Sequence, residues 1–166
     1  MAVARVLIVD DEPVLLRAVS KMLTNRGYDV LQANDPRQAL ETINGEGPIE
    51  VVLSDVLMPE MSGMDLVREV ARISPQTACI LMTGGIVDSA EISQSLPVLH
   101  KPFPMSELIA AVVEAVARST NLRAELRASV EISAALRWEA QSLRYECVKF
   151  VRQSVEPVSR LKRKLD

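Results

Sequence analysis

Unbroken apolar runs recur along the first two thirds of the chain, at Val6-Leu7-Ile8-Val9, Val51-Val52-Leu53, Cys79-Ile80-Leu81-Met82 and Val98-Leu99. A weaker run, Tyr28-Asp29-Val30-Leu31, falls between the first two. Runs rich in β-branched residues and lacking polar alternation suit parallel strands covered on both faces. Between them, apolar residues fall three and four apart: Val14, Leu15, Ala18, Val19, Met22 and Leu23, then Ala39, Leu40 and Ile43, then Leu66, Val67 and Val70. That spacing predicts helices. Strand and helix alternate five times, which predicts an α/β fold, a doubly wound five-stranded parallel sheet.

Local punctuation agrees. Asp35-Pro36 supplies an N-cap followed by proline in the first turn, with Gln38 placed for a capping box. Gly27 fits the end of the first helix. The fifth helix is expected from about Pro104 to Arg118, burying Leu108, Ile109, Val112, Val113 and Val116. The first domain is therefore drawn over residues 1–118. Residues 119–166 contain no glycine and a single proline, Pro157, so Asn121 to Glu156 is expected to form one long C-terminal helix.

Charge divides at the same place. Residues 1–118 carry 9 Lys/Arg against 16 Asp/Glu, whereas residues 119–166 carry 10 against 6. An acidic body with a basic helical extension implies two modules. With 48% hydrophobic residues the chain can bury an ordinary core. Its apolar runs are far too short to span a membrane and its N-terminus has no signal-peptide pattern, so a cytoplasmic protein is expected. Cys79 and Cys147 form neither a metal pair nor a disulfide framework and read as buried small hydrophobes. His100, the only histidine, takes no role, and a zinc site is not expected.

In open α/β sheets ligands bind outside the carboxyl ends of the strands. Here those ends carry Asp10, Asp11, Asp55, Thr83 and Lys101. Each alone has a simpler explanation: an acidic helix N-terminus, a strand-end turn, a solvated lysine. Together they place three carboxylates, a hydroxyl and an ammonium at one edge. Carboxylate oxygens and water suit Mg²⁺ with a phosphate, one carboxylate can act as nucleophile, and the lysine can neutralise phosphoryl oxygens. This predicts phosphoryl transfer.

The chain resembles the receiver domain of bacterial response regulators over residues 3–118. The resemblance is carried by Val9-Asp10-Asp11-Glu12, Ser54-Asp55-Val56-Leu57-Met58-Pro59, Met61-Ser62-Gly63, Met82-Thr83-Gly84 and His100-Lys101-Pro102-Phe103. Five short motifs in order, each at a predicted strand end, make a specific combined signal. The resemblance implies a flavodoxin-like sheet and Asp55 as phosphoacceptor for a histidine kinase or phosphotransfer protein. It implies Asp11 as a direct Mg²⁺ ligand, Asp10 acting largely through water, and the backbone carbonyl of Leu57 as a further ligand. It also implies Lys101 as phosphoryl partner, Thr83 as switch hydroxyl, a cis Lys101-Pro102 bond, and a site left open by Gly84. On this reading the chain is a signalling module rather than an enzyme acting on a separate substrate. Leu57, two residues after Asp55, departs from the DxD pattern of aspartyl-phosphate phosphohydrolases.

Two departures from the family pattern stand out. Val98 occupies the position of the usual switch aromatic, three residues before the lysine. Only 17 residues separate Thr83 from Lys101, and they include Gly84-Gly85 and Pro97, so a brief or irregular fourth helix is expected.

In the tail, Leu122, Leu126, Leu136, Ala140, Leu143, Cys147 and Phe150 follow three-four spacing, with Ser129 and Ser133 at intervening seam positions. A homodimer through this helix is expected. Val130, Ile132, Ala134, Ala135 and Trp138 lie partly off that stripe. Arg160, Lys162, Arg163 and Lys164 form a basic end. Nucleic acid is the less favoured partner, since no helix-turn-helix pattern accompanies it. A DNA-binding regulator and a non-switching receiver-like scaffold are the alternatives to a phosphorylation-controlled interaction module.

Overall fold

The computed structural model describes residues 4–85 and 96–162, with side chains through residue 150. The elements run β1 (Arg5–Val9), α1 (Pro13–Thr24), β2 (Asp29–Ala33), α2 (Pro36–Gly45), β3 (Val51–Asp55), α3 (Gly63–Ile73), β4 (Ala78–Thr83), β5 (Val98–His100) and α4 (Met105–Lys162). All strand pairs are parallel and the sheet order is β2-β1-β3-β4-β5. The expected doubly wound sheet is thus present. The fourth helix expected between Thr83 and Lys101 lies outside the described residues.

Strand side chains alternate between two cores, because successive Cβ atoms point to opposite sheet faces. Val6, Ile8, Val51, Leu53, Ile80 and Met82 pack toward α1 and the first part of α4. Leu7, Val9 and Val52 pack on the other face against Ala39 of α2 and Leu66 and Val70 of α3. Burial on both faces is why the strands read as continuous apolar runs. Each fully buried aliphatic side chain contributes about 1.5–3 kcal/mol relative to exposure.

Helix α1 buries Leu16, Val19, Ser20 and Leu23, whereas Val14 and Ala18 of the expected stripe are exposed. It ends at Thr24, and the turn that follows closes at Gly27, in the left-handed region (φ 86), with Tyr28 N–H donating to the Leu23 carbonyl at 3.3 Å. At α2 the Asp35 carboxylate accepts from Gln38 N–H at 2.7 Å. The Gln38 side chain reaches back to Asn34 N–H, one residue before the cap.

The break expected after Arg118 is absent, and α4 is continuous through Lys162 rather than ending at Glu156. Ser119 and Thr120 find partners without starting a new helix: Ser119 Oγ donates to the Gln76 carbonyl at 2.7 Å, and Thr120 Oγ1 donates to Val116 O. Arg123 pairs with Glu50 and donates to Ile49 O at 2.9 Å. The chain accordingly divides into compact units Met1–Arg123 and Ala124–Asp166, later than the expected boundary at 118.

Burial pushes the Cys79 thiol up to about 12, although the positive charge of Arg118 opposes this. Only partly buried against the second core rather than fully buried, it remains a protonated small hydrophobe. Cys147 is exposed rather than buried, as are Leu126, Leu136, Leu143 and Phe150 on the same helix. No helix among the described residues is long and apolar enough to cross a membrane.

Candidate functional site

The carboxyl ends of β1, β3 and the segment after β5 meet through one ion-pair network. Lys101 Nζ donates to Asp10 Oδ2 and to Asp55 Oδ1, both at 2.8 Å. Asp10 is fully buried, Asp55 is 7% exposed, and the Lys101 side chain is 18% exposed. Two carboxylates sharing one ammonium leave the cluster formally acidic. Burial alone would lower the Lys101 pKa, but hydrogen bonds and attraction from Asp10 and Asp55 outweigh it and raise the value above that of an ordinary lysine. The ammonium is therefore held charged at neutral pH.

Backbone geometry fixes each member. Asp10 Oδ1 accepts from Glu12 N–H at 2.8 Å, and Asp10 N–H donates to Ala33 O. Lys101 N–H donates to Thr83 O at 2.7 Å, so β4 and the end of β5 set the ammonium's position. The Lys101-Pro102 bond is cis. Ser54 Oγ donates to the Asp55 carbonyl at 2.9 Å, a buried contact that the sequence reading did not single out. The small side chain immediately before Asp55 was the available signal.

The predicted residues converge only in part. Thr83 is buried, but its hydroxyl is engaged with Gly85, donating to the Gly85 carbonyl at 3.2 Å and accepting from its N–H at 3.1 Å. Asp11 and Leu57 are exposed. Asp11 lines a cleft of about 400 Å³ together with Asn34, Asp35, Arg37, Pro59 and Glu60. Among the described residues no three His, Cys, Asp or Glu side chains cluster as a ready metal site. That donor set still fits Mg²⁺, which keeps several waters and usually takes only one or two carboxylates. Asp10 and Asp55, joined by Lys101, offer two such groups.

Residues 6–113 match the response regulator receiver domain family. The chain belongs to this family. It is 34% identical over 120 residues to transcriptional regulatory protein GlrR of Escherichia coli K12, covering 70% of this chain and 27% of that protein. It is 37% identical over 120 residues to transcriptional regulatory protein KdpE of Mycobacterium tuberculosis H37Rv, covering 69% of this chain and 52% of that protein. The chain thus spans between about a quarter and a half of these curated relatives. A receiver domain protein from Clostridium thermocellum superposes with a TM-score of 0.67 at 32% identity, covering 72% of this chain and 99% of that one. Receivers are phosphoacceptor signalling domains, which generally bind Mg²⁺ at the phosphorylation site and interact with histidine kinases or phosphotransfer proteins.

In this receiver the loop after β3 is tightly constrained. Glu60 lies in the left-handed region (φ 68), at the centre of a three-residue turn closed by Met61 N–H on the Pro59 carbonyl at 2.7 Å. Ser62 caps α3, accepting from Asp65 N–H and donating to the Asp65 carboxylate at 2.7 Å. The Ser62 hydrogen bond, together with Arg68, holds the Asp65 carboxyl below the usual range despite partial desolvation. Gly63 begins that helix directly against the end of β3. A Cβ there would overlap the Asp55 carbonyl oxygen and lie 2.9 Å from its carbon and 3.1 Å from Ser54 Oγ. Backbone cannot yield as a flexible side chain can. Gly63→Ala is expected to lower stability by about 1–3 kcal/mol and to displace Asp55. Chemical denaturation and the Asp55 labelling rate check this, and an alanine variant matching the parent in both would contradict the contact.

Proposed function

We propose that this receiver accepts a phosphoryl group on Asp55 from a histidine kinase or phosphotransfer protein, and that phosphorylation switches protein interactions made by its helical tail. The observation that carries this reading is the Lys101 ammonium bridging Asp10 and Asp55 at the sheet's carboxyl edge. An Asp55 carboxylate oxygen forms the new O–P bond while the donor's P–N bond breaks and the imidazole leaves with the electron pair. Lys101, already aimed at Asp55 Oδ1, then pairs with a phosphoryl oxygen. Thr83 is the switch hydroxyl, leaving its turn with Gly85 to donate to another.

Asp10, Asp11, Asp55 and the Leu57 carbonyl are the residues proposed to hold Mg²⁺, with Asp10 acting largely through water. The ion, when bound, offsets charge on the transferring phosphoryl oxygens. Asp11 and Leu57 lie on the exposed side, where hydrated ligands have access. Gly84 is exposed after Thr83 and leaves room for a small phosphodonor.

Acetyl phosphate with Mg²⁺ should form one acid-labile adduct, and borohydride trapping followed by mass spectrometry should map it to Asp55. An adduct mapped elsewhere would sink the assignment.

The exposed apolar tail residues further support a homodimer through residues 122–150, since an amphipathic helix gains most of its stability by burying its apolar face. The full chain is expected to scatter as a dimer and a chain cut after Arg123 as a monomer. Leu136→Asp combined with Leu143→Asp should weaken association more than about a hundredfold, because two buried leucines are exchanged for charges. Asp55 labelling should persist in that variant. A full-length monomer at high micromolar concentration would overturn the dimer.

A further inference from the structure

The exposed face of the tail also carries information about how two copies align. Counting heptads through the second unit, Leu126, Ser133, Ala140 and Cys147 take one set of seam positions. Ser129, Leu136, Leu143 and Phe150 take the other. The four large apolar members are 44–71% exposed in the single chain, and Cys147 is exposed with them.

Charge flanks this seam unevenly. Glu125, Glu139 and Glu146 fall on one flank, with Ile132 between them, while Arg137 and Arg144 fall on the other flank with Val130. In a parallel pair of helices, opposite flanks of the two chains face each other, offset by five residues; in an antiparallel pair, like flanks meet. A parallel, in-register pair therefore sets Glu139 of each chain against Arg144 of the other. An antiparallel pair matched over the same seam sets Glu139 against Glu139 and Arg137 against Arg137. Arg137 Nε here donates to its own helix at the Ser133 carbonyl, 3.1 Å away, which leaves the rest of its guanidinium for the flank.

We propose that the tail's partner is a second copy of this chain aligned parallel and in register, an inference that rests on the homodimer reading above. Both chains then enter the seam from the same end, each from its own phosphoacceptor unit. The two Cys147 residues then share one seam layer, in which facing side chains approach to within reach of a disulfide. Trp138 lies off the seam and keeps its exposure of 73%.

Diamide, which takes up the two thiol hydrogens as the disulfide forms, tests this on the full-length chain. A covalent dimer is expected with the parent and with Cys79→Ser, and not with Cys147→Ser or with the Leu136→Asp, Leu143→Asp variant. Glu139→Arg should weaken association about three- to tenfold, and adding Arg144→Glu should restore it, because only the parallel arrangement pairs those two positions. A dimer by light scattering that neither cross-links at Cys147 nor shows this rescue overturns the parallel alignment while leaving the homodimer intact. Equal cross-linking in the Leu136→Asp, Leu143→Asp variant marks random collision and also overturns it. A full-length monomer overturns both readings, and a shift of Trp138 fluorescence to shorter wavelength on dimerisation moves the interface to the other face of the helix.

Discussion

Asp55→Asn is expected to abolish phosphorylation by acetyl phosphate and the response to beryllofluoride while the protein stays folded. Asparagine keeps the shape and one carbonyl oxygen toward Lys101 Nζ, now 2.8 Å from Asp55 Oδ1, but it removes the nucleophilic charge. The stability effect should be small, because Lys101 keeps its partner in Asp10, also 2.8 Å away. Removing one of two carboxylates that share one ammonium relieves repulsion. Mg²⁺ affinity should fall for the same reason, since the site loses one anionic donor. Three readouts thus move differently: labelling vanishes, denaturation midpoint holds, and the Mg²⁺ titration weakens. Persistent acid-labile labelling would remove Asp55 from the mechanism, and a collapse in stability would mean that Asp55 holds the fold rather than the phosphoryl group.

The sheet and three of the site residues were legible in the sequence for a physical reason. Parallel strands buried on both faces must be apolar at every position, so Val6 to Val9 and Val51 to Leu53 announce themselves without alternation. A carboxylate at the end of such a run has few structural uses, which is why Asp10, directly after Val9, and Asp55, two residues after Leu53, stood out with Lys101 after β5. What remained hidden depends on directions that residue type does not encode. Thr83 could face Asp55 or the following glycines, and here its hydroxyl turns to Gly85. Asp10 and Asp11 are neighbours just past the end of β1, yet one is buried and the other exposed. On α1 the expected stripe included Val14 and Ala18 and passed over Leu16, and only the helix's rotation against the sheet exposes the first two and buries the third. In α4 the expected boundary fell after Arg118, just before Ser119 and Thr120. Their side-chain partners, Gln76 O and Val116 O, allow the helix to pass through. Cys147 was misread because apolar spacing implies burial without saying in which chain.

Lys101→Met should have the largest effect on stability of any single substitution at the site. Methionine retains the stem's length and apolar packing but removes the charge that satisfies a fully buried Asp10 and a nearly buried Asp55. Breaking a buried pair by deleting one partner leaves an uncompensated charge, at a cost of about 3–5 kcal/mol. Asp10 keeps one hydrogen bond, from Glu12 N–H at 2.8 Å, which limits but does not cancel that cost. A cation bound by the native state should then recover part of the loss by mass action. Urea midpoints measured with and without millimolar Mg²⁺ should therefore diverge more for Lys101→Met than for the parent. The variant should also label at Asp55 without the change in association proposed to follow phosphorylation in the parent, since no ammonium remains to read the phosphoryl oxygens. A variant as stable as the parent in metal-free buffer would show that the ammonium contributes nothing to holding these carboxylates together, and the network at the sheet's edge would need another explanation.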